Sequence, residues 1–320
     1  MRRPLVALAL AGFVLATLPA VGSVVDAGGC TKVIGPGHSI TNALKNLRPG
    51  AVLCLRGGTY HQRVNAKVSG KAGHRIKVRA YHNERPIIEG LFWVTPRYVT
   101  FDGIDVKWDD QITDHSLQMV KFRGGRNWIW EHSRVWGARS YANVLVTRSS
   151  GGASPVNWTI RRSCIHDAIG YSGHDPTQDH NIYVADIAGS TGGRITRNII
   201  FNATHGRNIK VGPAGSNVAI TWNTLYRGGR GVIVSNASAH TTIAHNLIVR
   251  STAGDLISGW ELTGDDNLAR DNGGWASDSG RFIGGSGIVR GGGNVWVNPH
   301  FSSTSCSGFR TTADYGRWAH

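Results

Sequence analysis

Apolar residues recur at the third and eighth places of an octet that appears six times between Val99 and Ile248. The octets begin at Val99, Trp128, Trp158, Gly193, Val218 and Thr241. Their third places hold Phe101, Trp130, Ile160, Ile195, Ile220 and Ile243, and their eighth places hold Val106, Val135, Ile165, Ile200, Leu225 and Ile248. The sixth place is Ile104 in the first copy and a small polar residue afterwards: Ser133, Ser163, Asn198, Asn223 and Asn246. Successive copies start between 23 and 35 residues apart. A coil of that length holds about three short strands and three turns, and stacked coils bury a continuous apolar interior. Leucine-rich spacing is absent, and a propeller would need longer blades with aromatic signatures.

A second strand recurs between the octets: Asn143–Thr147, Asn181–Ala185, Asn208–Gly212 and Gly231–Ser235. Its second and fourth residues are aliphatic in every copy, so they point inward and the third points outward. Stacked asparagines at a solenoid corner hydrogen-bond along the stack, which predicts a ladder through Asn198, Asn223 and Asn246. The ends need caps. Ser39 to Leu47 reads as a short amphipathic helix with Ser39 or Thr41 as N-cap, within an N-terminal cap over about 38–60. From Asn294 to the end the pattern becomes irregular and reads as a closing segment.

The expectation is therefore one all-β domain, a parallel β-solenoid over residues 28–320. Three stretches carry a family resemblance: the opening Pro49-Gly-Ala-Val-Leu-Cys-Leu-Arg-Gly-Gly-Thr-Tyr60, the Ile/Asn coils, and the closing Asn298-Pro-His-Phe301. In these the chain resembles the pectate-lyase-like superfamily. That resemblance implies a right-handed parallel β-helix. It leaves the reaction open, because the superfamily holds lyases, hydrolases, esterases and non-catalytic proteins, and fold does not imply function.

Three further features narrow the setting. Arg2 and Arg3, an apolar run from Leu5 to Leu18 and small residues through Ala27 predict an export signal over 1–27, cut between 20 and 29. The run is shorter than the roughly 20 apolar residues of a membrane span, so the expectation is a secreted protein with no span. Four cysteines suit an oxidising compartment. Cys30 with Cys54 is the favoured pair, while Cys164 and Cys306 either pair or stay buried as thiols. The net charge of +15 suits an anionic partner, here an acidic polysaccharide, though arginine-rich secreted proteins are often basic without one. Nucleic acid is disfavoured because Trp128, Trp130 and Trp158 sit on the packing repeat. The expected state is a monomer.

Aligned second strands become neighbours in space, about 4.8 Å apart. Arg207-Asn-Ile-Lys210 superposes on His180-Asn-Ile-Tyr183, which sets Tyr183 beside Lys210 and stacks His180, Arg207 and Arg230 three residues upstream. Lys210 is one of eight lysines and the only one after Lys121, in a stretch that uses arginine freely. Lysine can give up its proton where arginine effectively cannot. Flanking arginines would lower its pKa towards that of a base. The plain alternative is a solvated outward side chain. Between Ile165 and Asn181 the chain departs from the coil in a loop rich in His, Asp, Tyr and Gly. Asp175 and Asp179 there offer oxygen donors for Ca²⁺, and His166, His174 and His180 offer nitrogens for a transition metal, against the alternative of an ordinary polar loop.

Three functions fit. A polysaccharide lyase acting on a uronic-acid polymer by β-elimination would use Lys210 as base and Tyr183 or His180 as proton donor. Arg207 and Arg230 (or bound Ca²⁺) would hold the carboxylate, and Asn181 and Asn208 would contact substrate. Lyases that the chain resembles use Lys or Arg as base. An inverting glycoside hydrolase would need two carboxyl groups about 6.5–9.5 Å apart, drawn from Asp175, Asp179 and Asp186. A non-catalytic glycan-binding solenoid would need neither.

Overall fold

A computed structural model describes residues 29–309 apart from Ser172 and His174. The expected export signal, His174 and residues 310–320 lie outside the described residues. The chain winds into a right-handed parallel β-helix. Every strand-to-strand pairing within its two sheets is parallel, including Thr159–Arg161 on Gly193–Thr196 and His180–Val184 on Ile199–Val211. An 11-stranded sheet forms one wall, from Lys32–Ile34 to Ile288–Arg290. The 15-stranded sheet forms the other two, because long strands bend through the corner between them. Ile199–Val211 pairs with Cys164–His166 through its first half and with His180–Val184 through its second.

The octet alternation decides what fills the interior. Phe101, Trp130, Ile160, Ile195 and Ile220 are fully buried, as are Val106, Val135, Ile165, Ile200 and Leu225. Trp128, Trp130 and Trp158 are core residues, packed with Phe92, Phe101 and Phe122 in one aromatic cluster. The sixth place forms the expected ladder. Asn198 Nδ2 donates to Asn223 Oδ1 (2.9 Å) and Asn223 Nδ2 to Asn246 Oδ1 (3.0 Å). It then runs on through Asn272 (3.0 Å) to Asn294 (2.9 Å). Each amide also satisfies main-chain groups that the turn leaves unpaired, such as Ile160 O for Asn198, and this offsets the cost of burying it.

Both ends are closed. Ser39 caps helix Ile40–Lys45 by accepting from Asn42 N (3.2 Å), and Ile40, Ala43 and Leu44 cover the first coil. Cys30 and Cys54 are bonded, as favoured. Cys164 and Cys306, left open by the sequence, are bonded too, over a separation of 142 residues. The bond draws the C-terminal segment back along the second wall. There Phe309 packs on Phe201 (5.2 Å) and Tyr226 (5.3 Å), and Phe301 packs on Tyr226 (5.8 Å).

Candidate functional site

The third wall carries the expected register. Tyr183 pairs with Lys210, and His180 with Arg207, across adjacent coils. Arg207 pairs in turn with Arg230, and Lys210 with Ile233. Ile182, Val184, Ile209 and Val211 are fully buried beneath them, so the outward side chains stand on a packed base. Lys210 Nζ lies 5.0 Å from the centre of the Tyr183 ring. Burial lowers the Lys210 pKa from its ordinary value, and the Arg207 charge lowers it further against a smaller upward pull from Asp175. Burial, then the Asp186 charge, raises that of Tyr183. The two groups titrate at similar pH, ~10, when unperturbed. Here their order is driven apart, lysine down and tyrosine up.

The arginines beside them crowd one another. Burial, then Arg230, lowers the Arg207 pKa to about 10. Arg207 Nη1 donates to Thr177 O (2.6 Å) and its main-chain N–H to Asp179 O (3.0 Å), so the loop after Ile165 lies against this wall. Arg230 runs close to Gly254, where a Cβ would sit 3.0 Å from Arg230 Nε. That Nε is buried with no hydrogen-bond partner among the described residues.

Several expected site residues sit elsewhere. Asn181 and Asn208 do not reach a surface. They form a second ladder at the neighbouring corner: Asn143 Nδ2 donates to Asn181 Oδ1 (2.8 Å) and Asn181 Nδ2 to Asn208 Oδ1 (3.0 Å). Asn181 also donates to Phe201 O (2.8 Å), and Asn208 to Tyr226 O (3.2 Å). His180 is fully buried, with its ring edge-on to Tyr183 at 5.1 Å. Being fully buried, His180 does not join Tyr183 on an open face.

Among the described residues the Asp175 and Asp179 carboxylates stand apart from any cluster of three or more potential metal ligands. Asp179 is 3% exposed, and its carboxyl lies where a Cβ on Gly170 would be. Burial, then Asp175, pushes its pKa up to about 7, which suits a neutral acid better than a cation ligand. Asp175 accepts from Thr177 N (2.9 Å) and Thr177 Oγ1 (3.0 Å), bonds that shape the short 3₁₀ turn. His166 stacks between Trp136 and Phe201 and bonds Asp167 through Nδ1 (2.8 Å).

Sequence reasoning missed a second lysine–aromatic pair on the same column. Trp93 pairs with Lys121, Lys121 with Leu145, and Leu145 with Tyr183. Lys121 Nζ lies 5.1 Å from the Trp93 ring.

The architecture is thus a parallel β-helix bearing a column of aromatic and cationic side chains on one wall. No family model matches the chain, and no curated protein matches it in sequence. Solved structures do. The chain is similar to XylC in a complex with xylose (TM-score 0.59, 11% identity), covering 81% of this chain and 65% of that one. It therefore spans just under two thirds of that protein. It is similar to pectate lyase Pel9A (TM-score 0.59, 13% identity, covering 87% and 84%). It is also similar to an alginate lyase from Paenibacillus sp. str. FPU-7 (TM-score 0.54, 17% identity, covering 81% and 99%). At these identities the likeness is one of fold, the parallel β-helix.

Proposed function

We propose that the protein is an exported polysaccharide lyase that cleaves a uronic-acid polymer by β-elimination. The observation that carries this reading is Lys210 beside Tyr183 on adjacent coils, with Arg207 and Arg230 stacked next to them. Lys210 takes the proton next to the sugar carboxylate. Arg207 and Arg230 stabilise the charge that moves onto that carboxylate. The bond to the leaving oxygen breaks as the double bond forms, and the Tyr183 phenol protonates the oxygen. A lysine with a lowered pKa and a tyrosine with a raised one suit those roles, because neutral amine and neutral phenol coexist over a wider pH range. No step is routed through Ca²⁺. The hydrolase reading has less support, since Asp179 lies against Gly170 instead of standing in the column. The pectate lyase and alginate lyase of similar fold agree with a uronate substrate, and two disulfides agree with export.

The test is turnover on a panel of uronate polymers, with and without chelator, read from the ultraviolet absorbance of the unsaturated product. Lys210→Ala should lower turnover by about 10²–10⁴, the span for losing a general base. Lys210→Arg should restore little, since charge returns without a proton acceptor. The wild-type rate should climb as pH rises above neutral and Lys210 deprotonates. Full activity in Lys210→Ala would remove the residue from the mechanism. New reducing ends formed without that absorbance, kept in Lys210→Arg and lost in Asp179→Asn, would instead indicate a hydrolase.

A further inference from the structure

The lysine-over-aromatic pair occurs twice on one outward column. Lys210 leans back over Tyr183 in the preceding coil, and Lys121 leans back over Trp93 in the coil before it. Between the pairs lies Leu145, so the second pair is offset from the first by three coil steps, ~14 Å at the spacing of parallel strands. The Trp93 indole is fixed: Nε1 donates to Gln118 O at 2.7 Å. Arg123 approaches the same ring at 5.9 Å and donates to Asn65 Oδ1 at 2.6 Å.

The surroundings are cationic. Beside the ring opens a cleft of about 430 Å³ lined by Lys45, Asn65, Lys67, Thr95 and Arg123, with no carboxylate in its wall. Among the described residues neither Lys121 nor Arg123 forms an ion pair, whereas Arg56, Arg85, Lys107 and Arg161 each do. Arg123 Nε is buried with no hydrogen-bond partner among the described residues. Burial lowers the pKa of both groups, and for Lys121 the neighbouring Arg123 adds to it. Half-buried charge without a counter-charge is costly unless a ligand supplies one. A fixed indole face and cations beside it together fit a sugar ring that carries a carboxylate.

We propose that Trp93, Lys121 and Arg123, with Asn65 and Lys67, form a distal subsite for a carboxylated sugar ring of the same polymer whose cleavage is centred on Lys210. This rests on the uronate-lyase reading and extends it: a substrate must be long enough to bridge the two lysine pairs to use both. The rigid wall between them holds the spacing, so the second contact is gained without reordering the protein.

The test compares a uronate trisaccharide, too short to bridge the pairs, with an octasaccharide. Wild type, Trp93→Ala, Lys121→Ala and Lys121→Arg are assayed for turnover and for retardation in gels containing polyuronate. The expected result is a rise of about tenfold in the ratio of octasaccharide KM to trisaccharide KM for Trp93→Ala and Lys121→Ala. Lys121→Arg, which keeps the charge, should recover most of it. Unaltered near-ultraviolet circular dichroism verifies the fold, and Trp93→Phe substitutes for Trp93→Ala should the latter not fold. An unchanged ratio in active, retarded variants overturns the subsite alone. A wild type neither active on nor retarded by any uronate polymer overturns the lyase reading and the subsite with it.

Discussion

Asn181 separates two roles that the sequence left entangled, substrate contact and corner ladder. Its amide makes three bonds inside the protein: it accepts from Asn143 Nδ2 and donates to Phe201 O and Asn208 Oδ1. Asn181→Ala keeps the backbone and deletes all three. A buried polar group left without its partner costs about 1–3 kcal/mol. Asn143 Nδ2 keeps its bond to His166 O and Phe201 O its bond from Asp167 N, so those losses are partial, while Asn208 Oδ1 loses its donor. The expected destabilisation is about 3 kcal/mol, read as a lower urea midpoint at unchanged slope. Arg194→Ala, at an exposed outward place on another wall, should stay within about 0.5 kcal/mol. The affinity for uronate polymer, measured below the unfolding range, should be close to wild type. A loss under about 1 kcal/mol together with weakened polymer binding would refute the ladder role and return Asn181 to the substrate surface.

Two further outcomes follow from the cross-links and from Asp179. Reducing Cys164–Cys306 should cost more than reducing Cys30–Cys54, because loop-closure entropy grows with separation, 142 residues against 24; the chain-entropy estimate is about 5 against about 3.5 kcal/mol. Serine pairs at each bridge, compared by urea unfolding, check the order, and equal losses would contradict it. Asp179 holds its proton up to about pH 7 in the folded state, above its unfolded value near 4, so the folded state binds the extra proton. Its contribution is full below about pH 4 and is lost as pH rises to about 7. Asp179→Asn should flatten that fall and raise the urea midpoint at pH 8, and an unchanged pH profile would show that burial does not perturb the carboxyl.

The walls of the solenoid were legible because two alternations ran through the chain at once, and a buried wall tolerates no slip of register. The ladder was legible only as far as Asn246. Its continuation through Asn272 and Asn294 was hidden because the neighbouring inward places hold Ala269 and Gly274 instead of aliphatic residues. A Cβ at Gly274 would meet Leu256 at 2.3 Å and Phe282 at 2.7 Å, so those side chains fill the interior from elsewhere. The same limit hid the Trp93–Lys121 pair: its coils carry Leu91 and Met119 where the later strands carry asparagine, so the strand pattern did not register them. Pairwise register placed Tyr183 against Lys210 correctly. It misjudged His180, Asn181 and Asn208, because register fixes neighbours and not the direction in which a corner residue faces. The second cross-link was open in sequence because its partners lie on different coils, joined only once the tail turns back.

That returning tail changes how the molecule can come apart. A stack of coils, each touching only its neighbours, ordinarily frays from its ends, shedding one coil at a time at small cost. The strap from Phe301 to Phe309, bonded through Cys306 to the coil of Cys164, lies across Phe201 and Tyr226 on the coils between. The final coil cannot peel away freely while that bond holds, because its lost ordering is limited by the covalent return. Coils from Cys164 onward are thereby tied into a single opening unit. The Cys30–Cys54 bond, by contrast, closes only the first turn on its neighbour. Fraying is thus made directional, starting near the capping helix and the Trp93–Lys121 pair and reaching Lys210 late.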